Sequence, residues 1–191
     1  MRDYGIDFRN IFSQFITRPG ADALLRWLES TDFFTAPAST RFHGSHIGGL
    51  CEHSVLVYER LKQLIEFYPS ENKPSDETIA IVALLHDMCK VNFYETEFRN
   101  RKNERGEWEK YPVYIVDDNL CMGHGESSLY IVSSFMSLSR EEAAAINWHM
   151  GFGDARFKGG DYTVGKAFAR YPLALLLHTA DSMATAFDES N

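Results

Sequence analysis

Cysteine is scarce in this 191-residue chain: only Cys51, Cys89 and Cys121 occur, with no CxxC spacing. An odd, unpaired set excludes a disulfide framework and predicts free thiols in a reducing compartment. No apolar run approaches the ~20 residues that a membrane-spanning helix needs. The opening Met1-Arg-Asp-Tyr-Gly-Ile-Asp-Phe-Arg9 lacks the apolar centre of a signal peptide, so a cytoplasmic location is the expectation. Positive charge is also in short supply. Nineteen Lys and Arg face 27 Asp and Glu, a formal net charge of −8. No overall field therefore draws the molecule to duplex nucleic acid or to an anionic membrane. A phosphorylated substrate would be held by a few local cations or by a metal, which favours small nucleotides. There is no Walker pattern, and Gly123-His-Gly125 is too short to cradle a phosphate. No serine sits on a nucleophile elbow, and Cys51 and Cys89 lack an activating arrangement, so nothing predicts covalent catalysis. Repeats and low-complexity tracts are absent.

What is present is enough for a substantial core: 45% of residues are hydrophobic and 14% aromatic. The length suggests one domain, or one with an appendage. The expected division is an N-terminal helical extension over residues 1–21 and a main domain over 22–191. Helical periodicity predicts helices at about 8–17 and 21–30, separated by the breaker Arg18-Pro19-Gly20. A longer helix is expected from His46, with Leu50, Val55, Val57, Leu61, Leu64 and Ile65 repeating at three to four. Pro69 and Pro74 bracket a loop, and Ser75 or Asp76 can cap a helix running to Lys90.

Residues 93–116 change period. Phe93–Arg99 and Trp108–Ile115 alternate, with Asn103-Glu-Arg-Gly106 between them, which predicts a β-hairpin; Pro112 argues for an edge position. Its charges balance, Arg99, Arg101, Lys102, Arg105 and Lys110 against Glu95, Glu97, Glu104, Glu107 and Glu109. That reads as a solvated tip and not as a nucleic-acid stripe. A helix is expected from Gly123-His-Gly125 to about Leu138. Ser139-Arg-Glu-Glu142 is a capping box for another ending near Met150. Gly151–Gly165 reads as a glycine-rich loop, and a last helix as running from about Tyr171 to Phe187. Six or seven helices and one hairpin make an all-α fold with a small β insertion.

The chemistry points to one place. His86-Asp87 closes the apolar run Ile79–Leu85, where an imidazole and a carboxylate are costly to bury unless something offsets the cost. A divalent metal coordinating both would do so. His53 and Asp181, each on its own apolar helix, are two further candidate ligands. Adjacent helical side chains diverge by about 100°, so His86 and Asp87 can share an ion only near one helix edge. A lone histidine on an apolar helix face is more often a packed core residue than a ligand. Seven (43, 46, 53, 86, 124, 149 and 178), none of them in the first forty positions, shift that balance. Mixed nitrogen and oxygen donors suit Mn, Fe, Co, Ni, Mg or Zn better than Ca.

The order His53 … His86-Asp87 … Asp181 resembles the ligand order of the HD-domain metal-dependent phosphohydrolases. The opening segment Phe42-His-Gly-Ser-His-Ile-Gly-Gly-Leu-Cys-Glu-His-Ser54 and His86-Asp-Met-Cys-Lys90 are similar to the HD domain of bacterial 3′→5′ exoribonucleases. The hairpin followed by Gly-His-Gly-Glu resembles small bacterial and phage HD proteins. The resemblance covers residues 22–187. It implies an HD-domain helical bundle with a β-hairpin insertion, metal at His53, His86, Asp87 and Asp181, and hydrolysis of a phosphomonoester or phosphodiester, with a nucleotide or short oligonucleotide as substrate and partner. It also implies that His124 and His149 bind a second ion or act in catalysis, so one ion or two would serve as cofactor.

Lys90 is placed to contact phosphate, to form an ion pair just outside the ligand set, or simply to sit at a helix C-terminus where the dipole favours a cation. Arg41 and His43, just before the metal helix, are candidates to grip a phosphate or to be solvated loop residues. The roles of His46, His178 and Glu126 stay open, as does the oligomeric state. Two rival functions are an HD-fold di-iron oxygenase and a nucleotide-binding sensor without turnover.

Overall fold

The computed structural model describes residues 2–68, 71 and 73–189, so Pro69 lies outside the described residues. Helices α1 (Tyr4–Phe15), α2 (Ala21–Glu29), α3 (Gly49–Glu66) and α4 (Asp76–Leu85) precede a two-stranded hairpin, β1 (Tyr94–Lys102) and β2 (Trp108–Val116). After it come α5 (His124–Ser133), α6 (Arg140–Trp148), α7 (Ala155–Lys158), α8 (Thr163–Arg170) and α9 (Pro172–Met183), the last continuing as a π-turn over Ala184–Asp188. The architecture is the expected helical bundle with a β insertion. No helix among the described residues is long and apolar enough to cross a membrane.

The centre of the bundle is α4. Every residue from Ile79 to Leu85 is buried, as expected of a helix that is apolar all round. Around it pack α3, α1 and α6, while α9 lies against α3 and α6. The segment expected as an N-terminal extension joins the same core, because α1 buries Phe8 and Phe12 there. Asp3 caps α1 by accepting the Ile6 amide, which starts this helix earlier than its apolar pattern suggests. Ser75 caps α4 and the Ser139–Glu142 capping box opens α6, as the sequence predicts.

Three expected elements differ. The helix predicted to reach Lys90 stops at Leu85; Asp87 leaves helical geometry (φ −105°, ψ 25°) and Met88–Lys90 forms one 3-10 turn. The helix after Gly123 ends at Ser133, short of Leu138. The segment Gly151–Gly165, expected as a glycine-rich loop, contains α7 and the start of α8. Its glycines masked a short amphipathic stripe, Val164, Ala167 and Phe168, which is buried. The hairpin forms as expected, with Phe98 opposite Pro112 and Lys102 opposite Trp108.

Candidate metal centre

Two helix C-termini converge on one point. His86 caps α4 and His149 caps α6, so the partial negative ends of both helix dipoles face the same region and favour a cation there. Each imidazole is held alike. Nδ1–H of His86 donates to Ala83 O at 2.8 Å, and Nδ1–H of His149 to Ile146 O at 2.7 Å. A carbonyl can only accept, so these bonds fix the tautomer and leave Nε2 as a lone pair aimed inward. His53 on α3 does the same through a carboxylate, its Nδ1–H donating to Glu189 Oε1 at 2.6 Å.

The break after α4 explains how neighbours 86 and 87 share a site. A continuous helix would send them apart; leaving helical φ/ψ at Asp87 turns its carboxylate back beside His86. Its two oxygens then face two sets of donors. Oδ2 lies 3.5 Å from the Nε2 atoms of both His53 and His86 and 2.6 Å from Lys90 Nζ. Oδ1 lies 2.8 Å from His124 Nε2 and 3.4 Å from His149 Nε2. Asp181 Oδ1, from α9, stands 3.3 Å from His53 Nε2. The ligand atoms of His53, His86 and Asp181, and those of His86, Asp87 and His149, each fall within 4.8 Å of one another, as metal-binding groups require.

The electrostatics fit a cation. His53 and His86 bring their Nε2 atoms to 3.1 Å, a separation at which two lone pairs repel unless a proton or metal lies between them. Burial opposes charge on His53, yet hydrogen bonds that it donates to Asp181 and Glu189 outweigh it and push its pKa up to about 10. Burial pulls His86 down to about 3, reinforced by His149 and His53. The two shifts run in opposite directions, so positive charge is favoured beside these two imidazoles. Burial works against ionised Asp87 too, but Lys90 and the surrounding histidines hold its carboxyl well below the usual range. His149 Nε2 is buried without a hydrogen-bond partner among the described residues, and an orphaned lone pair in such a place needs a ligand. The donor set therefore fits a divalent metal.

A cleft of about 510 Å³ opens beside this cluster. Asp87, Lys90, His124 and Asp181 border it, with His43 and His178 on its walls. Burial lowers the pKa of His43, and its ring centre is 5.5 Å from that of His53. Arg41 is not among the cleft residues; it is exposed, its guanidinium 5.9 Å from the Phe42 ring. His46 is also outside, 3.4 Å from Glu52. His178 donates from Nδ1 to His149 O at 2.7 Å and stacks on Phe168, which steadies the end of α6. Glu126 accepts the Gly123 amide and Arg156 Nη1, so it organises the start of α5 and is not among the cleft residues. Burial pushes the thiols of Cys51 and Cys89 up to about 12, keeping both neutral.

Sequence reasoning missed Glu189 and the hairpin base. Glu189 follows Asp181 by eight positions, about two helical turns, and this spacing on one continued helical run was the available signal. Tyr94 and Val116, paired across the strands, line the cleft, and nothing in the alternating pattern tells which end of a hairpin meets a site.

Comparison with known proteins points to one family. The family model of the HD domain matches residues 50–186. A stretch of 59 residues is 39% identical to a protein from Geobacillus sp. (strain WCH70) named 3′-5′ exoribonuclease YhaM. That stretch is 31% of this chain and only 17% of the relative, so the chain spans a small part of it. No solved structure gives a significant match.

Proposed function

The chain belongs to the HD domain family, and on that premise we propose that it is a metal-dependent phosphohydrolase acting on a nucleotide or a short oligonucleotide. The observation that carries the reading is Asp87, whose two oxygens face separate histidine pairs. In this reading His53, His86, Asp87 and Asp181 hold one ion, and Asp87, His124 and His149 hold a second. Divalent ions at such positions polarise P–O bonds and make water nucleophilic at neutral pH.

The protein's own groups do the rest. The backbone carbonyls of Ala83 and Ile146 and the carboxylate of Glu189 keep three Nε2 lone pairs pointed inward, as outer contacts do for metal-bound histidines. His149 is fully buried and serves as a ligand. His124, partly exposed, lies 2.8 Å from Asp87 Oδ1 and lines the cleft beside it. Lys90 offers its ammonium to a phosphate oxygen at the cleft floor while neutralising Asp87. His43 lines the same cleft. The name of the relative, a 3′-5′ exoribonuclease, favours a phosphodiester over a phosphomonoester.

The test is hydrolysis of bis(p-nitrophenyl) phosphate, p-nitrophenyl phosphate and a nucleotide panel with Mn, Co, Ni or Fe, with elemental analysis of the protein. Wild type should be active, and His86→Ala and Asp87→Ala should lose both metal and turnover. A folded, metal-loaded wild type that is inactive on the whole panel would refute the reading.

A further inference from the structure

The charges of the hairpin balance in number but are segregated by face. Side chains alternate along a strand, and directly opposed residues share a face. The register therefore puts Tyr94, Phe98, Lys102, Trp108, Lys110 and Tyr114 on one side. Glu95, Glu97, Arg99, Arg101 and Glu109 fall on the other. Every acidic residue of the paired strands lies on the second face, where Glu97 pairs with Arg99 and Glu109 with Arg101. The first face has no acid. Among the described residues neither Lys102 nor Lys110 forms an ion pair, and Lys102 Nζ sits 5.6 Å from the Trp108 ring centre.

This acid-free face is open to solvent and continuous with the cleft. Phe98 is 67% exposed and Trp108 70%, a high cost for rings that only decorate a loop. Its inner end is Tyr94, which lines the cleft beside Val116, donates its hydroxyl to Ala38 O and lies 6.4 Å from the Tyr114 ring. From Tyr94 to Lys102 the ribbon runs about 26 Å at ~3.3 Å per residue.

Resting on the phosphohydrolase reading above, we infer that this face binds the single-stranded body of an oligonucleotide whose terminal phosphodiester occupies the cleft. Aromatic rings interleaved with cations are what single-strand binding requires, because every base has a face to stack and every linkage an anion to neutralise. The charge of this face complements that ligand, while the net charge of −8 disfavours the rest of the surface. A second copy of the same face would meet it with lysines and no acid, so self-pairing is poorly matched.

The test is fluorescence anisotropy of the full chain with a labelled single-stranded RNA octamer, in EDTA so that no turnover occurs, followed by octamer hydrolysis with metal. Phe98→Ala with Trp108→Ala, and separately Lys102→Glu with Lys110→Glu, should weaken octamer binding tenfold or more and raise KM for it. Arg99→Glu with Arg101→Glu makes the same charge change on the other face and should shift binding less than threefold. Equal losses from both faces, no loss from the first, or a wild-type dimer that the first-face variants dissolve in sedimentation velocity would overturn the inference. Failure of the catalytic reading shows separately, as wild type unable to hydrolyse bis(p-nitrophenyl) phosphate while binding in EDTA is still read.

Discussion

Removing the Glu189 carboxylate tests how the candidate metal centre is built. Glu189 Oε1 accepts the Nδ1–H of His53 at 2.6 Å, with both side chains almost fully buried. Glu189→Ala leaves that donor without its partner and frees the imidazole to rotate. Loss of such an outer contact typically weakens metal affinity 10–100-fold, or about 1.4–2.7 kcal/mol. Glu189→Gln keeps an acceptor oxygen but removes the charge. Charge-assisted hydrogen bonds are roughly twice as strong as neutral ones, so about half of that loss, some three- to tenfold, is expected. Glu189 Oε2 has no hydrogen-bond partner among the described residues, so the new amide nitrogen gains nothing in return. Calorimetric titration of metal-free protein with Mn²⁺ reads the affinities directly. At saturating metal, the Mn²⁺-induced rise in Tm should shrink by about 3–11 °C for the alanine variant, at ~2–4 °C per kcal/mol for a domain of this size. Wild-type affinity in Glu189→Ala would show that this carboxylate does not position His53.

Two further perturbations probe the scaffold. Arg18 makes two 2.9 Å hydrogen bonds to the buried Glu142 carboxylate, so Arg18→Met should cost about 3 kcal/mol in urea unfolding at pH 7, the low end for stranding a buried charge because Arg18 is partly exposed. Burial opposes ionised Glu142, but Arg18, Ser139 and Thr78 outweigh it and hold its pKa below the ordinary value. The folded value thus lies below the unfolded one, and this stability is present above the unfolded pKa of ~4.3 and lost as pH falls through the folded pKa. The gap between wild type and variant should therefore narrow toward pH 4, and a gap that widens would refute the argument. In Gly125→Ala the new Cβ would stand 2.2 Å from Asn147 O of α6, forcing α5 outward and His124 away from Asp87. Thermal unfolding should show a loss of about 1–3 kcal/mol, and elemental analysis a lower metal content; an unchanged Tm would contradict the close approach.

Much of the candidate site was legible because its residues break a local pattern. His86-Asp87 ends a helix that is apolar from Ile79 to Leu85, and His53 and Asp181 interrupt apolar stripes in the same way. The α4 and α6 caps were also readable, since capping depends on residues three apart. Other features carry no local signal. The helical break at Asp87 follows an uninterrupted periodic run, and α8 hides its stripe among Gly159, Gly160 and Gly165. Arg41 and His43 looked equivalent from their spacing, yet the loop turns His43 into the cleft and leaves Arg41 in solvent.

The sequence by itself determined most of the elements and where a candidate metal site lies, because periodicity, capping and the cost of a buried carboxylate are properties of short segments. It determined that a cation-seeking set exists and that the hairpin carries as many bases as acids. Only the tertiary structure decided how those groups divide. Packing α4 against α6 brings two helix ends to one point and makes Asp87 the shared carboxylate between His53 and His86 on one side and His124 and His149 on the other. Strand register sends the acids of the paired strands to one face and leaves the other aromatic and cationic. Those outcomes depend on distances between segments far apart in the chain, and no local pattern encodes them.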